Sequence, residues 1–234
     1  MPHITTHMND VLGQAIHDHY QNLNVDDLWI HNKYGPKEEM PVDVFFRDEE
    51  EMPDMELLAL NECRGKILDI GAGAGSHTLL LQNSGFDVTA IDISALAVQV
   101  MRDRGVKNAF EADVFNYKAD RFDTLLLLMN GIGLAGTLDG LRSLLLHLKL
   151  LLNEGGQLLF DSSDVAYLYE GNLPANGYYG QIAYQYQYKK IKTDWFNWLY
   201  IDKQTLQTIA DETGYKLQLL EEDEYSQYLA RLVL

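Results

Sequence analysis

The chain of 234 residues has a single cysteine, Cys63, and no long apolar run. One cysteine excludes an internal disulfide and is compatible with the cytoplasmic location expected for this protein. The longest leucine-rich stretches, Leu125 to Leu138 and Leu141 to Leu152, are too short or are interrupted by Arg142, His147 and Lys149, so neither reads as a bilayer span. Met1 to Asp10 shows no basic segment leading into an apolar one, so no secretory signal is expected. Basic residues are scarce: 18 Lys and Arg face 35 Asp and Glu, for a net charge of −17. Such a field repels phosphate backbones and anionic surfaces, so neither nucleic acid nor a membrane is an expected partner.

What is present is an ordinary globular balance, 47% apolar and 23% charged residues, enough for a substantial core. Residues 1–60 are polar and aromatic and read as an N-terminal cap. From 61 to 234 a domain is expected. Lys66 to Ile70 is a short apolar strand, a glycine turn follows, and Ser76 to Asn83 has helical spacing. Asp87 to Ile91 repeats the strand, Ser94 caps a helix to about Arg104, and Asn108 to Glu111 starts another strand. Phe122 to Met129 is a continuous apolar run, as a central strand covered on both faces requires. A leucine stripe after Asp139 predicts a helix ended by Glu154-Gly155-Gly156, with Gln157 to Phe160 as the next strand. Strands alternating with helices predict an α/β fold with a parallel sheet.

Past Asp161 the alternation stops. Ile182, Tyr184, Tyr186 and Tyr188 alternate with smaller or polar residues, which predicts an inserted antiparallel hairpin at about 178–201, turning at Lys192 to Asp194. Asp202 caps a helix ending at Gly214, and Lys216 to Leu220 and Tyr225 to Leu234 read as closing strands around the acidic Glu221 to Glu224.

The densest signal is Leu68-Asp69-Ile70-Gly71-Ala72-Gly73-Ala74-Gly75-Ser76. Glycines directly after a buried strand allow a sharp turn and close approach of a ligand. A dinucleotide fingerprint beginning at Gly71 needs glycine at 76, and beginning at Gly73 needs it at 78; the chain has Ser76 and Thr78. Asp69 also sits badly beside a pyrophosphate, which disfavours a nicotinamide oxidoreductase. With Asp92 ending Val88-Thr89-Ala90-Ile91-Asp92-Ile93-Ser94, and Asp113 in Phe110-Glu111-Ala112-Asp113-Val114-Phe115, the chain resembles the class I S-adenosylmethionine-dependent methyltransferases over roughly 64–162.

That resemblance implies a Rossmann-like sheet of seven strands, mostly parallel with the last antiparallel, carrying helices on both faces. S-adenosylmethionine would be the cofactor and S-adenosylhomocysteine its product. It implies that Asp92, with Ile93 beside it, accepts from both ribose hydroxyls, and that Asp113 accepts from the adenine amino group while the Val114 amide meets the ring. Gly71, Ala72, Gly73 and Gly75 would form the cradle, Asp69 would order it, and Met129-Asn130-Gly131 would offer a carbonyl to the methionine ammonium. Arg47, after the apolar Val44-Phe45-Phe46, is a candidate for the methionine carboxylate; the alternative is an exposed arginine balancing Asp48 to Glu51.

The expected acceptor is a small molecule. An Asn-Pro-Pro-aromatic motif and a Pro-Cys nucleophile are both missing after the fourth strand, where Asn130-Gly131-Ile132-Gly133 stands. Asp161, at the end of the fifth predicted strand, is the candidate base or substrate anchor, with Asn130 next. The cap and the tyrosine-rich hairpin would supply a lid with large aromatic faces. No metal is expected, because His3, His7, His17, His19 and His31 match no known ligand spacing. His77 reads as a solvated first-turn residue. A protein that binds the cofactor without transferring methyl, and methylation of a protein side chain, stand as alternatives; the expected assembly is a monomer or homodimer.

Overall fold

A computed structural model describes residues 10–23, 25–118 and 120–234; His3 and His7 lie outside these. The first elements are α1 (Val11–Tyr20), capped by the Asp10 carboxylate, β1 (Leu28–Asn32) and the short β2 (Glu38–Glu39). Two 3-10 turns, Val42–Phe45 and Glu49–Glu51, lead to α2 (Asp54–Asn61). The alternating part is β3 (Lys66–Ile70), α3 (Ser76–Asn83), β4 (Asp87–Asp92), α4 (Ala95–Asp103), β5 (Ala109–Glu111), β6 (Phe122–Leu127), α5 (Leu138–Leu148) and β7 (Leu152–Ser163). Then come β8 (Gln181–Tyr188), β9 (Ile191–Lys192), β10 (Phe196–Leu199), α6 (Lys203–Thr213), β11 (Lys216–Glu222) and β12 (Gln227–Val233).

Seven strands form one sheet in the order β11-β12-β7-β6-β3-β4-β5. The pairs from β7 to β5 are parallel, and β12 inserts antiparallel between β7 and β11. This is the expected mostly parallel sheet with an antiparallel last strand. Helices cover both faces, which explains the unbroken apolar run of β6: Leu125 and Leu127 pack with α5 and α6, whereas Leu126 packs with residues of α2 and α3. Ser94 and Asp202 cap α4 and α6 through the amides of Ala97 and Thr205, and Gly214 ends α6 in the left-handed region.

A second sheet has the order β10-β8-β1-β2, with β9 also on β8. It joins the two segments that flank the alternating unit in sequence, because β1 pairs antiparallel along β8 from Leu28↔Tyr188 to Asn32↔Tyr184. Helix α1 lies under it: Val11, Ala15 and Ile16 pack with Leu28, Tyr188, Ala74 of the glycine turn and Val100 of α4. Buried Asp18 accepts hydrogen bonds from Gln14 Nε2 and Tyr188 Oη and pairs with Lys189 Nζ, tying α1 to the hairpin tip.

Three details differ from the sequence expectations. The hairpin turns at Lys189-Lys190 rather than at 192–194, with Lys189 at φ 53 and its ammonium anchored on Asp18. The strand expected from Gln157 begins at Leu152, because Leu152 pairs with Phe122 and an irregularity in the ladder absorbs the following residues, Gly155 among them at φ 71. The acidic run is partly strand: Glu221 and Glu222 pair with Leu229 and Tyr228.

Candidate active site

Ligands of open α/β sheets bind outside the carboxyl ends of the parallel strands, and β3, β4, β5, β6 and β7 deliver the acids and turns there. After β3 the chain turns through Gly71, Gly73 and Gly75 at φ 73, 56 and 81, values that favour glycine. The amides of Gly71 and Ala72 donate to the Ile91 carbonyl, locking the turn to β4. Asp69 is fully enclosed; its Oδ2 accepts from Thr78 Oγ1 at 2.5 Å, so it ties β3 to α3, and burial raises its carboxyl above the usual range.

Asp92 accepts the Gly73 amide at 2.9 Å and the Ser94 amide at 2.8 Å, one on each oxygen. Burial, opposed by those two amides, pushes its carboxyl up to about 6. A carboxylate has about four acceptor sites, so two amides leave capacity for two hydroxyl donors. Ile93 beside it is 69% exposed. Asp113 similarly accepts from the Phe115 amide at 3.0 Å and Asn116 Nδ2 at 2.7 Å. Val114 packs its side chain into the core below. A Cβ at Gly71 would meet no atom within 4 Å, so the backbone there is open to close approach. These features fit a ligand with a ribose and an adenine.

Met129 and Asn130 both adopt left-handed backbone, at φ 58 and 54. Non-glycine residues in this region cost on the order of 1 kcal/mol or more and persist where surroundings impose them. Asp161 imposes it: its two oxygens accept the Asn130 amide at 3.0 and 2.9 Å, and Oδ2 also accepts from Gln227 Nε2. Burial moves the Asp161 carboxyl up to about 6, against the pull of these donors. The Asn130 side chain is a clamp, donating to the Leu199 carbonyl and accepting from Ser162 Oγ. Gly131 begins the 3-10 turn Gly131–Ala135, against which β10 packs. On that turn, the Trp198 indole lies where a Gly133 Cβ would be, with Nε1 at 2.1 Å from it.

Arg47 does not balance the acidic run as an exposed residue. Its Nη2 donates to Glu56 Oε1 at 2.7 Å, and Glu56 Oε2 bonds His77 Nε2 at 2.7 Å. His77 is buried, not solvated as its first-turn position implied, because Glu56 of α2 reaches over it. In the sequence Phe45 and Phe46 stood out only as the apolar run before Arg47, and Arg104 only as the end of a helix. The Phe45 carbonyl accepts from Ser76 Oγ, and its ring faces Gly73. Arg104 Nη1 donates to the Ala74 carbonyl at 2.6 Å and its guanidinium lies over Phe46. Only their packing against the glycine turn reveals them.

Among the described residues no group of three or more His, Cys, Asp or Glu is placed to hold a metal, and no helix is long and apolar enough to cross a membrane.

A family profile for a methyltransferase domain matches residues 47–220. Among solved structures, a SAM-dependent methyltransferase from Bacteroides fragilis in complex with S-adenosyl-L-homocysteine is 42% identical, covering 96% of this chain and 94% of that one, with a TM-score of 0.89. A sugar N-methyltransferase from Streptoalloteichus is 14% identical over 86% of this chain and 96% of its own, TM-score 0.57. The CcbJ methyltransferase from Streptomyces caelestis is 12% identical over 80% and 98%, TM-score 0.60. The last two establish likeness of fold alone. No curated protein matches. With the glycine turn, the three strand-end aspartates and a sheet of this order in place, the chain belongs to the class I S-adenosylmethionine-dependent methyltransferases.

Proposed function

We propose that this methyltransferase acts on a small-molecule acceptor held between the two sheets. The observation that carries the reading is the inner face of the second sheet. Residues directly opposite on neighbouring strands share a face, so the register Tyr184↔Phe196 and Ile182↔Trp198 sets Tyr184, Tyr186, Phe196 and Trp198 on one side. Trp198 touches the turn after β6, and Tyr186, like Phe45 and Phe46, packs against the buried cluster that holds Ala74 of the glycine turn. This aromatic face therefore looks onto the strand ends, and the described residues of the N-terminal cap, 10–23 and 25–60, serve with segment 178–201 as the lid of the cofactor domain.

When bound, S-adenosylmethionine supplies an activated methyl group on a sulfonium, so the protein's work is to align the acceptor in line and exclude water. Asp92 takes the ribose hydroxyls through charge-assisted hydrogen bonds, with Ile93 alongside. Asp113 takes the adenine amino group and the Val114 amide meets the ring. Gly71, Ala72, Gly73 and Gly75 cradle the methionine portion, Asp69 orders them through Thr78, and the backbone at Met129, Asn130 and Gly131 receives the ammonium. Arg47, braced by Glu56, is the cation for the carboxylate. Asp161 acts through Asn130 as a positioning residue that holds this turn, and Asn130 fastens the lid strand to it.

Incubation with methyl-labelled S-adenosylmethionine and a cell extract divided by dialysis tests the proposal. Label in the dialysable fraction, with release of S-adenosylhomocysteine, is the expected result. Label confined to proteins would refute it.

A further inference from the structure

The inner face of the second sheet carries a carboxylate as well as rings. Ile30 pairs with both Glu38 and Tyr186, and Asn32 with Tyr184, so Glu38 shares the face of Tyr184, Tyr186, Phe196 and Trp198, whereas Glu39, opposite Trp29, belongs to the other. The rings are stacked edge to face: Tyr186 with Phe196 at 5.0 Å, Phe196 with Trp198 at 6.4 Å and Tyr184 with Tyr200 at 6.4 Å between centroids. The Tyr184 and Tyr200 hydroxyls are 3.1 Å apart. Burial first, and Glu38 among the lesser causes, raises both phenols, so they remain neutral. Among the described residues, Glu38 Oε1 accepts a long bond from Asn32 Nδ2, 3.4 Å.

The nearby lysines lie elsewhere. Lys37 Nζ sits 3.4 Å from the centre of the Trp29 ring on the outer face, and Lys33 lies over Trp195, one residue before inward-facing Phe196. A face of neutral π systems with an anion at its edge favours a cation, and the net charge of −17 draws cations towards it.

We infer that the acceptor carries an ammonium group, received by the Tyr184, Tyr186, Phe196, Trp198 and Tyr200 rings with Glu38 as its counter-charge. This rests on the small-molecule chamber proposed above, and Glu38 is a specificity-determining residue rather than part of the transfer machinery.

The test is calorimetric titration of the full chain, saturated with S-adenosylhomocysteine, with choline and with its neutral isostere 3,3-dimethylbutan-1-ol. Choline should bind about tenfold more tightly. Glu38→Gln should cut that preference about fivefold, and the neighbouring Glu39→Gln should leave it intact, which a merely structural effect on the edge strand would not reproduce. Equal binding of the two probes, or a preference unmoved by Glu38→Gln, overturns the cationic assignment while leaving the small-molecule chamber standing. Binding of neither probe to the S-adenosylhomocysteine complex overturns the cationic assignment, and label confined to proteins in the labelling experiment above overturns the small-molecule reading and this inference together.

Discussion

Acidification from pH 7 to pH 5 should weaken S-adenosylhomocysteine binding about tenfold through Asp92. Burial raises this carboxyl to about 6, with the Gly73 and Ser94 amides pulling the other way. Only the ionised form has acceptor sites for two ribose hydroxyls beyond those two amides. For a group titrating near 6, about nine-tenths is ionised at pH 7 and about one-tenth at pH 5, and apparent affinity falls with the competent fraction. Calorimetric titrations from pH 5 to 8 measure this directly. In Asp92→Asn the loss of charge-assisted acceptance, about 1.5–3 kcal/mol, should lower affinity by one to two orders of magnitude at pH 7, and the pH dependence should vanish. A flat wild-type profile would refute the reasoning. The same slope in Asp92→Asn would move the titration to Asp161.

Asp161→Asn should change the pH dependence of stability. Its folded carboxyl titrates near 6, above the ordinary 3.8, so the folded protein holds the proton more tightly; this contribution to stability is full below about 3.8 and is lost as pH rises through about 6. The melting temperature of the variant, relative to wild type, should therefore rise between pH 4 and 7. Gly133→Ala puts a methyl 2.1 Å from Trp198 Nε1, and should cost about 1–3 kcal/mol in denaturant unfolding as well as methyl transfer, because β10 is displaced. Gly71→Ala, at φ 73 in open space, should cost only about 1–2 kcal/mol of stability yet weaken S-adenosylhomocysteine binding in titration. Arg47→Ala should weaken it too, without abolishing the bond between Glu56 and His77; unchanged affinity would remove Arg47 from the site.

Local patterns made most of the central sheet legible. Lys66 to Ile70, Asp87 to Asp92 and the Ser94 and Asp202 caps each depend on residues a few positions apart, and the leucines of α5 display their periodicity outright. The second sheet was only half legible. The alternation of Ile182 to Tyr188 shows a strand, but its partner β1 lies far away in sequence and its pairing is fixed by packing on α1. The same limit applies at the site. Asp92 and Asp113 announce themselves by position after apolar strands. That Asp161 turns inward to hold Asn130, or that His77 and Arg47 meet on Glu56, depends on contacts across elements, which periodicity does not encode.

The most direct test of the account is a crystal structure with S-adenosylhomocysteine bound. The ribose hydroxyls should lie within hydrogen-bonding distance of Asp92, the adenine amino group on Asp113, and the methionine portion along the open side of Gly71, with the sulfur facing the rings of Tyr184 and Tyr200. A ligand seated elsewhere, or one that leaves Asp92 bonded only to Gly73 and Ser94, would contradict it.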